Sequence, residues 1–497
     1  MYVSRVYVEN IKSFHGSRVV DLTLTRPDGT HAGWTVLAGR NGSGKTTLLR
    51  ALALALSGPA AARGLVHGFE NWMSRGAVES SAQAKIVRDA AFDKFSASGR
   101  TQTNFRAGLR WTAPTEGTSS RKSAQPALEG IRQNPNAKSA TPAQRGPWAD
   151  NPVGWFCAAY GPFRRMAGGS GEVQRLMLAS GPVARQASLF HEDASLAEGV
   201  AWLIEQHLRA LEGREGAAAL KRAALSVLGH GLLPDGYRVE DVDSEGLWVT
   251  RDGHRYPLRE MSDGFRTVAA LVVDLLKQIH DAFGDEAFSG DDGEGGPSLL
   301  HVPGVVIIDE IDAHLHVSWQ RRIGPWLTEH FPNIQFIVTT HSPYICQAAD
   351  PGGLIRLPGV EEDAAPEVVP EDLYERVVYG SGDDAVLSEL FGLDTPYSEQ
   401  AERRRAEFVA LESRVYEGDT SPETVERYKK LKELLTSRAG PRDVRPTPPS
   451  LRRDRGRRGR RGGVIRLERA PLPPDTAAHL TTYTEQTVEA DRRVTPA

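Results

Sequence analysis

The segment Gly39-Arg40-Asn41-Gly42-Ser43-Gly44-Lys45-Thr46-Thr47 has the residue types and spacing of a phosphate cradle. Its glycines let successive backbone N–H groups turn toward phosphate oxygens, and a helix start just after them adds positive potential. Lys45 is the cation for β- and γ-phosphates, and the Thr46 hydroxyl is a ligand for a metal ion. The eight residues from Gly39 to Thr46 match the Walker A pattern in full. Further along, Val305-Val306-Ile307-Ile308 delivers Asp309 and Glu310 to the end of an apolar strand. There Asp309 can hold magnesium through water, and Glu310 can orient and deprotonate an attacking water.

Two further groups follow the same logic. Thr339-Thr340-His341-Ser342-Pro343 closes another apolar run, where His341 can hydrogen-bond a γ-phosphate and report its loss. Met261-Ser262-Asp263-Gly264-Phe265-Arg266 opens a helix, whose N-terminal N–H groups favour an anion. His314 and His316 alternate on a strand-like stretch. Their spacing suits a metal pair, but packing and contact between copies is the preferred reading.

These residues need strands and helices to place them. Trp34–Ala38, the glycine loop and the leucine-rich stretch Thr46–Leu56 read as strand, turn and helix, the first unit of an α/β fold with a parallel sheet. Residues 61–150 are rich in Ser, Ala, Gln, Gly and Pro, and read as an insertion with one strand at Phe105–Thr112 and a flexible loop. Residues 170–255 read as mostly helical, with Ala197–Leu211 the clearest amphipathic piece. A strand pair through Gly246–Pro257 turns at Asp252-Gly253. The stretch 258–345 alternates helix and strand again. A small helical region, 366–438, is expected to hold a hairpin of Ser398–Tyr416 and Pro422–Ser437, and 439–497 to be a disordered Arg/Pro-rich tail.

Composition narrows the classes. In 497 residues, 60 Lys and Arg against 64 Asp and Glu leave a net charge of -4, which does not suit a surface built throughout for nucleic acid. The tail is the local exception. Arg452, Arg453, Arg455, Arg457, Arg458, Arg460 and Arg461 form a cluster that can contact nucleic-acid phosphates. Cys157 and Cys346 exclude a disulfide framework and a zinc ribbon. The N-terminus, MYVSRVYVEN, reads as a strand, and no apolar run reaches the length of about 18 residues that a membrane span needs. A cytoplasmic protein without a membrane segment is the expectation.

In this order the motifs resemble the RecF/SMC-like ABC ATPases, whose first strand is similar to RVYVENIKSFHG here. IIDEIDAHLHVSWQRRIGPWLTEHFPNIQFIVTTHSP and GSGDDAVLSELFGLDTPYSEQAERR resemble the stand-alone AAA-type proteins of prokaryotic defence loci, among them the ATPase component of Septu-type and retron-associated anti-phage systems. The resemblance spans 1–60, 153–170 and 255–437. It implies a P-loop NTPase of ABC-ATPase type over 1–365, with a mixed or parallel sheet and a helical insertion. It further implies ATP hydrolysis with Mg2+, nucleotide held by Gly39–Thr47, the metal by Thr46 and Asp309, and catalysis by Glu310 with His341 as the switch. Ser262, Asp263 and Gly264 correspond to the signature that acts on a partner subunit's nucleotide, and Asp312 to the D-loop acid. A homodimer, a higher oligomer built from it, and an HNH-type nuclease partner are the implied assemblies.

Two positions depart from the pattern. Val317 stands where a proline is usual after His-Leu-His, and Tyr160-Gly161-Pro162-Phe163-Arg164-Arg165 occupies the place of the Q-loop without a glutamine. An arginine acting on phosphate is the expected substitute. Val464-Ile-Arg-Leu-Glu-Arg-Ala-Pro-Leu-Pro-Pro resembles the opening of the HNH partner. The alternative function is a DNA-binding RecF/SMC-like ATPase of repair. The SMC and zinc-hook branches fit poorly, since neither long heptads nor a CxxC lies between the nucleotide motifs. A transporter subunit fits less well still, given the first strand and the missing Q-loop.

Overall fold

Val3, Val6 and Val8 of the first strand, β1 (Tyr2–Glu9), are all buried although the first two are an odd number of positions apart. A register shift between Val3 and Arg5 restores the inward phase that strict alternation would lose. The buried Gln335 amide fixes the kinked point, accepting the Val3 N–H at 2.8 Å and donating to the Val3 carbonyl at 3.0 Å. β1 pairs with β2 (Val20–Thr23); β3 (Trp34–Ala38) leaves for another sheet, and β4 (Glu79–Val87), β5 (Asn104–Thr112) and β6 (Ala127–Gly130) extend the first. The result is a five-stranded antiparallel sheet in the order β2-β1-β4-β5-β6.

Residues 61–150 are therefore not an insertion beside the fold: they supply three of its strands. The period-two signal was weak because several inward positions are small. Ser80, Ala82, Ala84 and Ile86 face the core from β4, opposite Phe105, Ala107, Leu109 and Trp111 of β5. Alanine and serine fill a tight interface without contributing much hydrophobicity to the pattern.

The second sheet is built from β7 (Cys157–Tyr160), β11 (Gly304–Ile308), β12 (Ile334–Thr340), β13 (Leu354–Arg356), β14 (Glu367–Val368) and β3, in the order β14-β13-β3-β12-β11-β7. Its pairs are parallel except β13–β14 at the edge. All residues of β3, β7, β11 and β12 are buried, as expected for strands covered on both faces. A separate antiparallel meander contains β8 (Arg238–Asp243), β9 (Gly246–Arg251) and β10 (His254–Pro257), joined at Asp252 and Gly253, whose positive φ values of 50° and 80° suit the tight turn. Residues 238–243, inside the stretch read above as mostly helical, are thus a strand; the helices before it run Gly171–Leu178, Pro182–Phe190, Ala197–Leu211 and Ala217–Gly229.

The helix after the glycine loop, Lys45–Leu65, bends at Gly58, with Pro59 next to it. Pro59 has no N–H for the carbonyl four residues back, Ala55. The Trp148 indole takes that place, donating to the Ala55 carbonyl at 3.1 Å, with its ring against Gly58.

The structure, a computed structural model, describes residues 1–96, 99, 101–114, 125–132, 139–164, 171–178, 181–288 and 299–436. The chain divides into two compact units at 402/403. In the second, Phe408 stacks on Tyr428 at 5.3 Å and Arg427 pairs with Glu407 at 2.7 Å, joining helices Glu399–Tyr416 and Pro422–Thr436. Arg165, the arginine cluster between 452 and 461, and the stretch from Val464 lie outside the described residues. None of the described helices is long and apolar enough to cross a membrane.

Candidate nucleotide site

The register of the parallel sheet decides which loops meet. Ile308 lies opposite Val338 on one side and Tyr160 on the other, and Thr340 lies opposite Ala38. The carboxyl ends of β3, β12, β11 and β7 therefore line one edge. The loops leaving them carry Gly39–Gly44, His341, Asp309–Asp312 and Gly161–Arg164. In parallel α/β sheets that edge is where ligands bind.

The glycine loop is closely covered. Gly42 and Gly44 have φ of 80° and 99°, and a Cβ on Gly44 would lie 2.6 Å from the Phe14 ring. A Cβ on Gly39 would meet the Leu357 carbonyl at 2.4 Å. Arg40, Asn41 and Gly42 are exposed, Ser43 and Lys45 are buried, and Thr46 and Thr47 lie between. The Lys45 ammonium donates to the carbonyls of Gly39 at 2.8 Å and Arg40 at 3.2 Å. Burial lowers its pKa, against the opposing pull of the Asp309, Glu310 and Asp312 carboxylates. Arg18, which the sequence did not mark, ties the loop to its cover. It donates to the carbonyls of Pro358 at 3.0 Å, Glu362 at 2.8 Å and Ser43 at 3.5 Å.

Asp309 sits at the centre. Its Oδ2 accepts the Thr46 hydroxyl at 2.7 Å, and its Oδ1 accepts the Thr339 hydroxyl at 2.5 Å. Thr339 also accepts the Glu310 N–H at 2.7 Å, so one side chain of β12 holds both acids of the neighbouring strand end. Glu310 is partly buried and has a left-handed φ of 46°. Arg164 lies beneath, but not as a phosphate group. Its guanidinium is directed at backbone carbonyls, including those of Asp309 and Glu310. The arginine expected on phosphate is therefore not Arg164.

Asp312 accepts the Thr340 hydroxyl at 2.5 Å and the His341 N–H at 3.3 Å. The His341 ring has a lowered pKa, chiefly from partial burial and then from the Lys45 cation, which favours the neutral imidazole. Ser262 caps the helix Asp263–Phe283 in position, with its side chain making no capping bond, and both Ser262 and Asp263 are exposed. Asp263 pairs with Arg266. Gly264 packs under the left-handed His314, where a Cβ would come within 2.7 Å of the His314 carbonyl. No hydrogen bond among the described residues joins Ser262–Gly264 to the glycine loop. His316 caps the helix Val317–Gln320, accepting the Ser318 N–H at 3.3 Å.

Thr46 and Asp309 bring a hydroxyl and a carboxylate together, the oxygen donors that suit a hard divalent cation. Among the described residues no group of three or more His, Cys, Asp or Glu is arranged to hold a metal ion. A Mg2+ here would rest on these two side chains, with water and phosphate oxygens completing its shell.

Two family models match the chain. One, described as an AAA domain, covers residues 5–134, and one described as an AAA domain, putative AbiEii toxin, Type IV TA system, covers 209–347. The chain is 36% identical over 123 residues to the Retron Ec83 probable ATPase of Escherichia coli, across 25% of this chain and 21% of that protein. It is 32% identical over 174 residues to the Septu protein PtuA of Bacillus thuringiensis, across 33% of this chain and 40% of that protein. The alignments thus span well under half of these relatives' own lengths. Among solved structures, the Smc head bound to the C-winged helix domain of ScpA aligns with 74% of this chain and 98% of its own, at a TM-score of 0.42 and 17% identity. Gly39–Thr47 fall in one matched segment and Ser262, Asp309 and His341 in the other, so both halves of the site lie in segments similar to AAA domains.

Proposed function

We propose that the chain binds ATP with Mg2+ along this sheet edge and hydrolyses it to ADP and phosphate. The observation that carries the reading is the Thr46–Asp309 bond, which joins metal-type ligands 263 positions apart beside the glycine loop. Lys45 and the loop N–H groups would bind the β- and γ-phosphates, and Thr46 and Asp309 would hold Mg2+, whose charge offsets that of the phosphates. Glu310 would accept a proton from the water that attacks the γ-phosphorus, with ADP as the leaving group. His341, neutral and beside Asp312, is suited to hydrogen-bond the γ-phosphate.

The helix start at Ser262–Gly264, with Ser262 and Asp263 exposed, is the natural surface for the nucleotide of a second copy, which gives a two-fold ATP sandwich. Similarity to Septu and retron proteins supports a role in anti-phage defence; the finer reading we propose is that ATP turnover there regulates a nuclease of HNH type. Glu310→Gln tests the core of this reading. ATP should still bind with Mg2+, while turnover falls on the order of a hundredfold or more, because the base is gone and the shape is kept. Unchanged turnover would remove Glu310 from the reaction. For the finer reading, the activity of a co-expressed HNH protein should differ between wild-type and Glu310→Gln chains; equal activity would count against regulation.

A further inference from the structure

Arg164 is 3% exposed and lies directly under the turn that follows β11. Its Nη1 donates to the carbonyls of Gly161 at 3.0 Å and Asp309 at 2.9 Å; its Nη2 donates to those of Glu310 at 3.0 Å and Ile311 at 3.3 Å. One planar fork thus serves four carbonyls, three of them consecutive in the chain. A guanidinium can do this because its donors diverge in a fixed plane.

The middle of those three residues is the unusual one. Glu310 has a φ of 46°, a left-handed conformation that a side chain of its type adopts only where its surroundings impose it. Here both flanking peptides are held. Thr339 accepts the Glu310 N–H at 2.7 Å, and Arg164 donates to the Glu310 carbonyl. With its peptides fixed on either side, the Cα–Cβ direction of Glu310 is fixed as well. The same conformation starts the tight turn leading to Asp312.

We infer that Arg164 is a positioning residue: it aims the Glu310 carboxylate by holding the Asp309–Ile311 backbone in its left-handed turn. The assignment rests on the reading of Glu310 as the base. It accounts for an arginine where a side chain directed at metal or phosphate was expected. Burial lowers the Arg164 pKa to about 10, with Asp312, Asp309 and Glu310 opposing the shift, so the side chain stays cationic at neutral pH. Its charge therefore also steadies three acids crowded at one strand end.

The test uses the full chain and two variants. Arg164→Lys keeps a cation, but its donors radiate from one atom and cannot match four carbonyls. Arg164→Gln removes the charge and keeps two donors, and it serves if the lysine variant does not fold. Titration with a fluorescent ATP analogue should give affinities within about twofold of wild type, whereas single-turnover hydrolysis should fall about tenfold to a hundredfold from misaiming the base. The decisive measurement is the double variant with Glu310→Gln. If Arg164 acts through Glu310, its substitution costs little or nothing further once the carboxylate is gone. The same fold-loss in both backgrounds would make Arg164 an independent or merely structural contributor and overturn the inference. So would wild-type hydrolysis by a folded Arg164 variant, or a loss confined to nucleotide affinity. Normal turnover by Glu310→Gln alone would instead sink the reading of the base, a result distinguishable from any of these.

Discussion

Asp274 carries its carboxyl into the core from the helix Asp263–Phe283, and it meets the neutral Tyr160 hydroxyl at 2.9 Å. Desolvation pushes its pKa up to about 6, although Tyr160, Lys277 and Gln278 all pull the other way. In the unfolded chain the same group titrates near an ordinary aspartate value of about 3.9. Between those two values the folded chain holds a proton that the unfolded chain has released. Stability from this group is therefore full below about pH 4, declines as pH rises to about 6, and stays lost above that. Asp274→Asn cannot ionise, so its melting temperature relative to wild type should rise from pH 4.5 to pH 7.5. A constant difference across that range would show that the carboxyl is not the titrating group. Tyr160 ends β7, and its carbonyl accepts the Asp309 N–H at 2.8 Å, so this buried pair links the helix opened by Ser262 to the strand end that bears Asp309.

The kinked helix Lys45–Leu65 shows how an element tolerates a residue that should break it. A proline inside a helix leaves a carbonyl four positions back without its donor. The Trp148 indole, from the segment after β6, supplies that donor to Ala55 and fills the space above Gly58. Trp148→Phe keeps an aromatic ring and removes the N–H. Leaving the Ala55 carbonyl unpaired should cost about 1–3 kcal/mol in denaturant unfolding. The phosphate loop lies two turns or more away, so nucleotide affinity per folded molecule should not change. A variant as stable as wild type would mean that water replaces the indole. The strands tell a related story. β4 was hard to read because serine and alanine occupy inward places, whereas β5 was legible at Phe105–Thr112; the pairing of the two is continuous from Glu79–Thr112 to Val87–Asn104.

At the scale of the whole molecule, one copy arranges Lys45, Thr46, Asp309, Glu310 and His341 about one edge and leaves Ser262 and Asp263 exposed elsewhere. If the sandwich is the working form, each nucleotide needs loops from both copies. Ser262→Arg should then retain ATP binding but lose hydrolysis and ATP-dependent association. Mixed with Lys45→Ala protein, it should recover part of the hydrolysis, because one site of a mixed dimer has an intact loop and an intact Ser262. Normal hydrolysis by Ser262→Arg alone would rule this arrangement out, as would a Glu310→Gln protein that fails to associate when ATP is added.

The glycine loop, the Asp309–Glu310 pair and the parallel strands that carry them were legible in the sequence because each is a local pattern. Glycine spacing makes a phosphate turn, and an unbroken apolar run makes a strand covered on both faces. The roles of Thr339, Arg18 and Arg164 were not legible. Thr339 reads as the last residue of an apolar strand, and only the β11–β12 register places its hydroxyl between Asp309 and Glu310. Arg164 in sequence is one of two adjacent arginines where a glutamine is usual; burial and four carbonyls turn it away from phosphate and onto the backbone. Local sequence determined which groups can do chemistry, because bonding capacity belongs to the side chain. Tertiary structure decided which groups hold them, because a hydrogen bond between residues 145 positions apart has no periodic signature along the chain.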